Sequence, residues 1–330
     1  MLIRVGLFRF SVVSMVIVIV LLSAGCGKQQ EQISENRAKA IKLYVDAMML
    51  NDLDERDKAI RKLDLAVELD PEFALAYSLR GDIYQEVEEY DKSARSYEEA
   101  TILDPWSFRD FFNLGKVYRI MEKFIEAVTA YIKACELEPE HFDAHLNAAK
   151  CFYELEYYDR SFEYGKKAKL IDPNSGKPEV LLGDIFKAQN EHSLAISAYR
   201  RAIELEGNEP ETMVSLAVAY LRTQRYDSAM ELLNSAIALD PQNNMAYQYL
   251  GFAYLKLREL DLAIESYQRS IEIKKVDWMV HKGLGVAYIL KAINTSDDSF
   301  RSIGLEHWNK SLEIKPNQPR LLQLLKKYSD

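Results

Sequence analysis

Residues 74–105 decide the fold, and they read ALAYSLRGDIYQEVEEYDKSARSYEEATILDP. The following segment, residues 108–139, reads FRDFFNLGKVYRIMEKFIEAVTAYIKACELEP and has the same layout 34 positions later. Each segment ends in a proline, and this spacing continues through most of the chain. The residues that close successive segments are Pro71, Pro105, Pro139, Pro173, Gly207, Pro241 and Lys275. A strict period of this length indicates a repeat architecture with one supersecondary unit per period.

Residue size is fixed at several positions of the repeat when Pro71 is counted as position 32. The repeats then begin at Ala40, Ala74, Phe108, Phe142, Gly176, Pro210, Asn244 and Trp278. Position 8 is always Gly or Ala: Ala47, Gly81, Gly115, Ala149, Gly183, Ala217, Gly251 and Gly285. Position 11 is bulky: Leu50, Tyr84, Tyr118, Phe152, Phe186, Tyr220, Tyr254 and Tyr288. Small residues let two helices approach to about 8–10 Å while a large neighbour fills the groove, so the pattern predicts closely packed helix pairs.

This set of residues resembles the tetratricopeptide repeat family, and the resemblance covers residues 36–316. It implies an all-α fold, a right-handed α-solenoid of about eight helix–turn–helix units. The chain has 20 tyrosines, and nine of them fall at position 11 or position 24, which the family uses for its core: Tyr84, Tyr118, Tyr220, Tyr254, Tyr288, Tyr97, Tyr131, Tyr199 and Tyr267. We therefore interpret them as structural residues and not as a platform for a sugar or a base.

The end of the repeat array departs from the period. Pro316 comes seven residues later than expected, and the surplus lies around residues 294–299, so the loop or the helix ends there are extended. Residues 317–330 then open with Gln318-Pro319-Arg320 and continue with a leucine-rich segment: Leu321, Leu322, Leu324 and Leu325. We predict a C-terminal capping helix, because the last unit of a solenoid has an open apolar face.

The bulk composition limits the function classes. The chain has 330 residues, 48% of them hydrophobic, and only 13 Gly and 9 Pro, which is typical of a well-packed protein. Its net charge of −9, with no long basic run, argues against nucleic-acid binding. No phosphate loop, dinucleotide loop or nucleophile elbow is present, and no residue set predicts a cofactor. We expect a protein that is not an enzyme.

The N-terminal segment predicts targeting. Arg4 and Arg9 precede an apolar run over residues 10–22, which is short for a membrane span. The segment ends Leu22-Ser23-Ala24-Gly25-Cys26, which resembles the lipobox of bacterial lipoproteins. The resemblance implies cleavage of residues 1–25 and a diacylglycerol on Cys26, with further acylation such as palmitate, whereas the alternative is an ordinary secretory signal or an uncleaved anchor. Residues 26–35 form a polar tether, and Gly27 favours the periplasmic face of the outer membrane over the inner membrane.

The family resemblance implies that positions 2, 5, 9, 12 and 13 of each first helix line a concave groove. In repeats three to five these positions carry an excess of cations with interleaved aromatic residues. This predicted basic zone consists of Arg109, Phe112, Lys116, Arg119, Lys150, Tyr153, Lys177 and Lys187. A positive zone on an acidic chain favours an acidic partner segment.

In repeats six to eight the same positions are mostly apolar. This predicted apolar strip consists of Val214, Val218, Leu221, Met245, Phe252, Leu255, Met279, Val286 and Ile289. An apolar strip that faces a groove indicates a protein partner, such as an amphipathic segment. The alternative is that residues 291–330 fold back and cover it.

Histidine and cysteine residues supply few further candidates. His141 and His145 stand four residues apart, which suits two ligands on one helix, but no third ligand accompanies them, so we expect no metal site. Cys135 and Cys151 face each other across a repeat boundary; they are either a disulfide or two buried small hydrophobic residues, and the second interpretation is favoured.

Together these features predict a membrane-anchored periplasmic scaffold that docks a protein segment in its groove. In overall plan it resembles the repeat lipoproteins that pilot secretins, support barrel assembly or recruit cell-wall hydrolases. Two alternatives stay open, a lipoprotein that binds glycan or peptidoglycan and a structural repeat protein that self-assembles.

Overall fold

The computed structural model describes residues 32–329, and the predicted signal segment, Cys26 and the start of the tether lie outside them. The described residues form seventeen α-helices and no strand, which confirms the all-α prediction. The helices are α1 (32–52), α2 (Arg56–Leu69), α3 (Ala74–Glu86), α4 (Tyr90–Leu103), α5 (Phe108–Ile120), α6 (Phe124–Leu137), α7 (Phe142–Glu154), α8 (Tyr158–Ile171), α9 (Lys177–Ala188), α10 (His192–Glu206), α11 (Pro210–Arg222), α12 (Tyr226–Leu239), α13 (Asn244–Leu257), α14 (Leu260–Ile273), α15 (Trp278–Thr295), α16 (Asp298–Ile314) and α17 (Pro319–Ser329). Within residues 32–329, no helix combines the length and apolar character needed to cross a membrane.

The helices belong to two compact units, of which the first ends at Leu155 and the second begins at Glu156. The described part of the first unit contains α1–α7, and that of the second contains α8–α17. In each unit, helices that follow one another in the chain pack against one another. The first helices of repeats two to eight begin at or within one residue of the positions given by the 34-residue period, whereas α1 of the first repeat already begins at residue 32, eight residues before Ala40.

The turn inside each repeat has one residue in the left-handed region. Glu88 has φ = 61°, and the N–H of Glu89 donates to the carbonyl of Tyr84 at 2.8 Å, which closes α3 with a Schellman-type bond. The equivalent residues are Asp54, Glu88, Glu122, Glu156, Asn190, Gln224, Arg258 and Ser296. Since only one of them is Asn and none is Gly, the sequence carried almost none of the usual signal for this conformation.

The turn between repeats uses a different device. The Asp70 carboxylate accepts a hydrogen bond from the backbone N–H of Glu72 at 3.2 Å, across the intervening Pro71. Asp104, Asp172 and Asp240 make the same bond two residues ahead. Asp therefore ends the second helix of these repeats, and Pro, which lacks an N–H, prevents the helix from continuing.

The crossing inside each repeat explains the small residue at position 8. A Cβ built on Gly81 would lie 2.9 Å from Cδ1 of Tyr97, and one built on Gly183 would lie 2.5 Å from Cε1 of Tyr199. Carbon atoms in contact are normally about 3.5–4.0 Å apart, so the tyrosine ring at position 24 occupies the space of a side chain at position 8. In five other repeats the combinations are Gly115 with Tyr131, Gly251 with Tyr267, Ala47 with Leu63, Ala217 with Leu233 and Gly285 with Trp308. Repeat four differs, because it has Ala149 at position 8 and Gly165 at position 24.

The eighth repeat takes up its surplus residues in its helices and not in a loop. Helix α15 has 18 residues and α16 has 17, whereas helices α2 to α14 have 12–15. The left-handed turn residue is Ser296, four positions later than the period predicts, so the first helix gains four residues and the second gains three. Each addition is close to one helical turn of 3.6 residues, and the core-facing sides of both helices are kept.

Helix α17 packs on this last repeat, where the sequence predicted a capping helix. Leu321 is fully buried in one cluster with Ile289 and Trp308. The side-chain amide of Gln318 donates to the carbonyl of Ser311 at 3.0 Å and fixes the connection that leads into α17.

Candidate partner-binding surface

The first helix of each repeat has one side that packs against the second helix and an adjoining side that is more exposed. Positions 5, 8 and 12 share one side, because helical residues three, four and seven apart lie on one face, and position 8 of that face contacts the second helix. Positions 9, 2 and 13 lie on the adjoining part of the helix surface, about 40–80° around the axis from position 5 and further from the second helix. In the second unit the first helices of successive repeats, α9, α11, α13 and α15, contact one another in order, so positions 2 and 9 form rows across adjacent helices.

Three members of the predicted apolar strip are core residues. Val214 at position 5 is 5% exposed, and Leu221 and Ile289 at position 12 are 7% and 3% exposed. Their positions lie on the side that faces the second helix, and their side chains belong to hydrophobic clusters inside the second unit. They have almost no surface to offer a partner, and the strip is narrower than the sequence predicted.

The remaining strip is centred on three exposed side chains. Met245, Phe252 and Met279, at positions 2 and 9, are 46%, 37% and 44% exposed, and we refer to them as the exposed patch. Val218 and Leu255 lie at intermediate burial beside it. The Lys256 ammonium stands 5.3 Å from the centre of the Phe252 ring, so one face of the ring is in contact with a cation.

The C-terminal helix covers one end of the predicted strip. Val286 packs against the cluster formed by Ile289, Trp308 and Leu321, as do Leu324 and Tyr328 of α17. The alternative that the chain covers its own groove therefore holds for Val286 and Ile289. It does not hold for the exposed patch, whose three side chains keep more than a third of their surface accessible.

In the first unit, one cation of the predicted basic zone is already compensated. The guanidinium of Arg109 pairs with Asp82, which also accepts hydrogen bonds from the Tyr97 hydroxyl at 2.6 Å and from the Asn113 amide at 3.3 Å. Burial raises the pKa of Asp82 above its ordinary value, although the bond from Tyr97 and the charge of Arg109 oppose this effect. No role was predicted for Asp82, but its carboxylate holds the tyrosine at position 24 and reduces the local positive charge.

The other residues of the predicted basic zone in the first unit are either cations with accessible surface or aromatic residues that pack inside the unit. Arg119 and Lys150 are exposed, and Lys116 is half-buried. The Phe112 ring stacks on Phe108 with centroids 5.5 Å apart, so it serves the packing of α5. Tyr153 is half-buried on α7. Of the predicted basic zone in the first unit, the cations with surface accessible to a partner are thus Lys116, Arg119 and Lys150.

The two lysines of the predicted basic zone in the second unit, Lys187 and Lys177, differ in whether they form an ion pair. The Lys187 ammonium forms an ion pair with Asp184, the same carboxylate that accepts the Tyr199 hydroxyl at 2.7 Å. Lys177 is exposed at the start of α9. Its backbone N–H donates to the Glu206 carboxylate of the same repeat at 3.2 Å, and its ammonium is accessible to a partner.

The two histidines at a repeat junction have structural contacts. His141 is the N-cap of α7 and its Nδ1 accepts a hydrogen bond from the N–H of Ala144 at 3.2 Å, while Nε2 of His145 lies 2.9 Å from the carbonyl of Pro139. Over residues 32–329 no three His, Cys, Asp or Glu side chains come together as a metal site would require.

The two cysteines of the repeats are buried thiols on α6 and α7. Burial raises the pKa of the Cys151 thiol to about 12. Because the thiolate is the reactive form, Cys151 is a poor nucleophile at neutral pH, which agrees with its interpretation as a small buried hydrophobic residue.

A histidine pair that the sequence did not single out lies in the last repeat. Nδ1 of His281 and Nδ1 of His307 are 3.0 Å apart, and the His307 ring stacks on Tyr288. Burial and, to a smaller extent, the neighbouring His281 lower the pKa of His307 to about 4. The two residues are 26 positions apart, and the surplus residues of this repeat intervene, so sequence spacing could not reveal the contact.

Comparison with family models gives the identity of the repeats. Models described as tetratricopeptide repeat match residues 180–244, 215–277 and 74–105, and a further TPR repeat model matches residues 115–155. The chain belongs to the tetratricopeptide repeat family. No curated protein sequence matches this tetratricopeptide repeat chain.

Solved structures show the same fold at low sequence identity. The APC/C hetero-tetramer Cut9–Hcn1 is similar with a TM-score of 0.62 and 20% identity, over 87% of this chain and 55% of that chain, so this chain spans about half of its length. A tetratricopeptide repeat protein from Parabacteroides merdae has a TM-score of 0.57 and 14% identity, over 76% and 99% of the two chains. PilF of Pseudomonas aeruginosa has a TM-score of 0.50 and 18% identity, over 66% and 97%. At such identities the likeness concerns the fold alone.

Tetratricopeptide repeats are protein–protein interaction modules, and this chain is a scaffold of that kind. Stacked repeats create extended surfaces of the kind that bind partners. The exposed patch lies at positions 2 and 9 of adjacent first helices of the second unit.

Proposed function

We propose that the chain is a lipid-anchored periplasmic adaptor that holds a helical or extended segment of a partner protein on the first helices of repeats six to eight. The observation that carries the proposal is the exposed patch of Met245, Phe252 and Met279. Large apolar side chains that lie exposed on adjacent helices favour association, and central aromatic anchors dominate the affinity of such surfaces.

The anchor part of the proposal rests on the residues around Cys26. Two or more acyl chains on one residue give stable membrane attachment, whereas a single chain binds only marginally. Residues 32–35 of the predicted tether belong to α1, so residues 26–31 would link Cys26 to this helix and hold it close to the membrane surface. We further propose that the adaptor serves the assembly of an envelope complex, on the outer-membrane side.

The basic residues of the first unit support an acidic partner. Lys116, Arg119 and Lys150 lie on a chain with a net charge of −9, so they form a local reversal of sign. Charges of this kind raise the association rate and give it a salt dependence, while the apolar anchors determine how long the complex lasts.

The proposal is tested by site-specific photo-crosslinking in envelopes that contain the full-length chain. A photoreactive residue is placed at Phe252, and a matched control is placed at Leu239, which is 57% exposed at the end of the second helix α12. We expect a discrete crosslinked adduct from position 252 and none from position 239. Equal crosslinking at the two positions, or none at either, contradicts the proposal.

Alanine substitutions then measure the contribution of the patch to the captured complex. Phe252→Ala and Met245→Ala are each expected to weaken binding by roughly 1–4 kcal/mol, because exposed anchors are lost without a change in the core. Helical content measured by circular dichroism should stay at the level of the unmodified chain. Normal binding by both variants refutes the assignment of the surface.

A further inference from the structure

A second groove lies on the opposite type of helix. It runs between α8 and α10, the second helices of repeats four and five, and both helices belong to the second unit. Its volume is about 940 Å³, against about 590 Å³ for the groove lined by α13 and α14. Ser193, Ser197 and Ala198 line the α10 side, and their short side chains leave the additional space.

The lining of this groove is apolar at its base and along its edge. The rings of Phe162 and Phe186 meet edge to face with centroids 5.8 Å apart. Leu170 and Leu194 also line the groove, and they are 76% and 48% exposed. Leucines so exposed beside a concave apolar surface provide contact area for a ligand with bulky apolar side chains.

The rim of the groove is positive. Five cations line it, and they are Lys166, Lys169, Arg200, Arg201 and Arg225. Its two carboxylates are each engaged by one of these cations, Glu179 by Lys169 at 2.7 Å and Glu204 by Arg201 at 3.1 Å.

Three rim cations are left without a carboxylate among the residues that line the groove. Lys166 stands over the Phe162 ring at 5.5 Å and Arg225 over the Tyr220 ring at 5.7 Å, and these contacts leave their charge uncompensated. Arg200 is exposed. A surplus of positive charge on a chain of net charge −9 selects a ligand of negative charge.

We propose that this groove binds a second peptide segment, extended and acidic, with bulky apolar residues at alternate positions. Helix α8 has 14 residues, so the groove beside it is about 21 Å long, which an extended segment of about six residues spans. Alternate side chains of such a segment point to opposite faces, so its apolar residues reach the Phe162 base while its carboxylates stay at the level of the rim. A flat membrane surface fits poorly, because its headgroups cannot enter a concave groove. The site is independent of the exposed patch.

The test is fluorescence anisotropy with the full-length chain in mild detergent. The probe is a fluorescein-labelled peptide of about eight residues in which Glu and Leu alternate, and the reference peptides alternate Glu with Ser and Lys with Leu. The unmodified chain is expected to bind the first peptide and neither reference. The double variant Lys166→Glu with Arg200→Glu should weaken binding by about tenfold or more at low salt, and less at high salt.

Matched variants separate the groove from general charge and from the first surface. Lys274→Glu with Lys275→Glu changes the net charge equally at an exposed repeat junction, and it should bind the peptide as the unmodified chain does. Leu170→Ser with Leu194→Ser should also weaken binding, whereas Phe252→Ala should not. All these substitutions are at exposed positions, and circular dichroism verifies that each variant is folded.

Several results would overturn the proposal. One is that the Glu/Leu peptide does not bind, or that the groove variants and the Lys274/Lys275 control lose binding equally. Another is that no peptide binds, while the Lys166→Glu, Arg200→Glu variant loses affinity for phosphatidylglycerol vesicles. This result assigns the groove to a membrane surface. A third is that no peptide binds, while sedimentation shows self-association of the unmodified chain that the Lys166→Glu, Arg200→Glu variant abolishes. This result assigns the groove to a second copy of the chain.

Discussion

Alanine at two glycines of the second unit should change stability in opposite directions. At Gly183, an added Cβ would meet the Tyr199 ring at 2.5–2.9 Å. This ring is fully buried, and its hydroxyl is held by Asp184 at 2.7 Å, so it cannot swing away without losing a hydrogen bond. At Gly165, which stands at position 24 where four other repeats have Tyr, an added Cβ would lie 3.6 Å from Leu182 and 3.7 Å from Leu181, which is ordinary contact.

The magnitudes follow from two opposing effects. Replacing Gly by Ala inside a helix gains about 1 kcal/mol, because the unfolded chain loses conformational freedom. Overpacking a close crossing costs roughly 1–3 kcal/mol. Gly165→Ala should therefore stabilise the second unit by up to about 1 kcal/mol, and Gly183→Ala should destabilise it by about 0–2 kcal/mol, a separation of about 1–3 kcal/mol between the variants.

Urea unfolding followed by far-UV circular dichroism measures both variants. Because repeat arrays can unfold in parts, hydrogen exchange of the amides in α9 and α10 should accompany it and localise the effect. If the two variants shift stability by the same amount in the same direction, the helix crossing does not explain the glycine at position 8.

Three further predictions concern the anchor, the last repeat and the basic residues. Cys26→Ser should move the chain from the membrane fraction to the soluble fraction or leave it uncleaved, and an unchanged, matured membrane-bound protein contradicts acylation at this thiol. Because the folded pKa of His307 is about 4, below its ordinary 6.5, the unfolded chain takes up the proton first as the pH falls. Stability should therefore decrease by roughly 1–3 kcal/mol between about pH 6.5 and pH 4, and His307→Gln should flatten this profile in thermal unfolding. For the partner captured through Phe252, Lys116→Glu with Arg119→Glu should slow association mainly at low salt, and stopped-flow rates that do not depend on salt would refute a role for these charges.

The sequence predicted the repeat fold well because the packing constraint is local and recurs. Position 8 must be small wherever position 24 holds a ring, so Gly81, Gly183 and Gly251 appear at a constant spacing that needs no structural information. The left-handed turn residues were not predictable in the same way. Glu88 and its equivalents adopt φ near 60° because the Schellman-type bond and the following helix impose it, and the side chain carries no signal.

The surface was predicted less well, for a physical reason. A pattern of apolar residues shows which face of a helix is hydrophobic but not how deep each position lies against its neighbours. Position 12 is on the same helix face as position 8, so Leu221 and Ile289 are buried although the family resemblance placed them in the groove. The sequence pattern also could not show that the charge of Arg109 is compensated, because its partner Asp82 belongs to the preceding repeat, 27 positions away.

Position 9 is where the needs of the fold and of the proposed binding surface compete for one residue. In repeats two and five it is Asp82 or Asp184, whose carboxylate accepts the hydroxyl of the buried tyrosine at position 24. A buried hydroxyl without such an acceptor costs about 1–3 kcal/mol, so Asp at position 9 stabilises the helix pair. In repeat seven the same position is Phe252, which offers Tyr267 no acceptor and instead presents an exposed ring. Phe252 therefore does not serve the helix pair as the aspartates do, and its exposed ring is left for the partner contact proposed above.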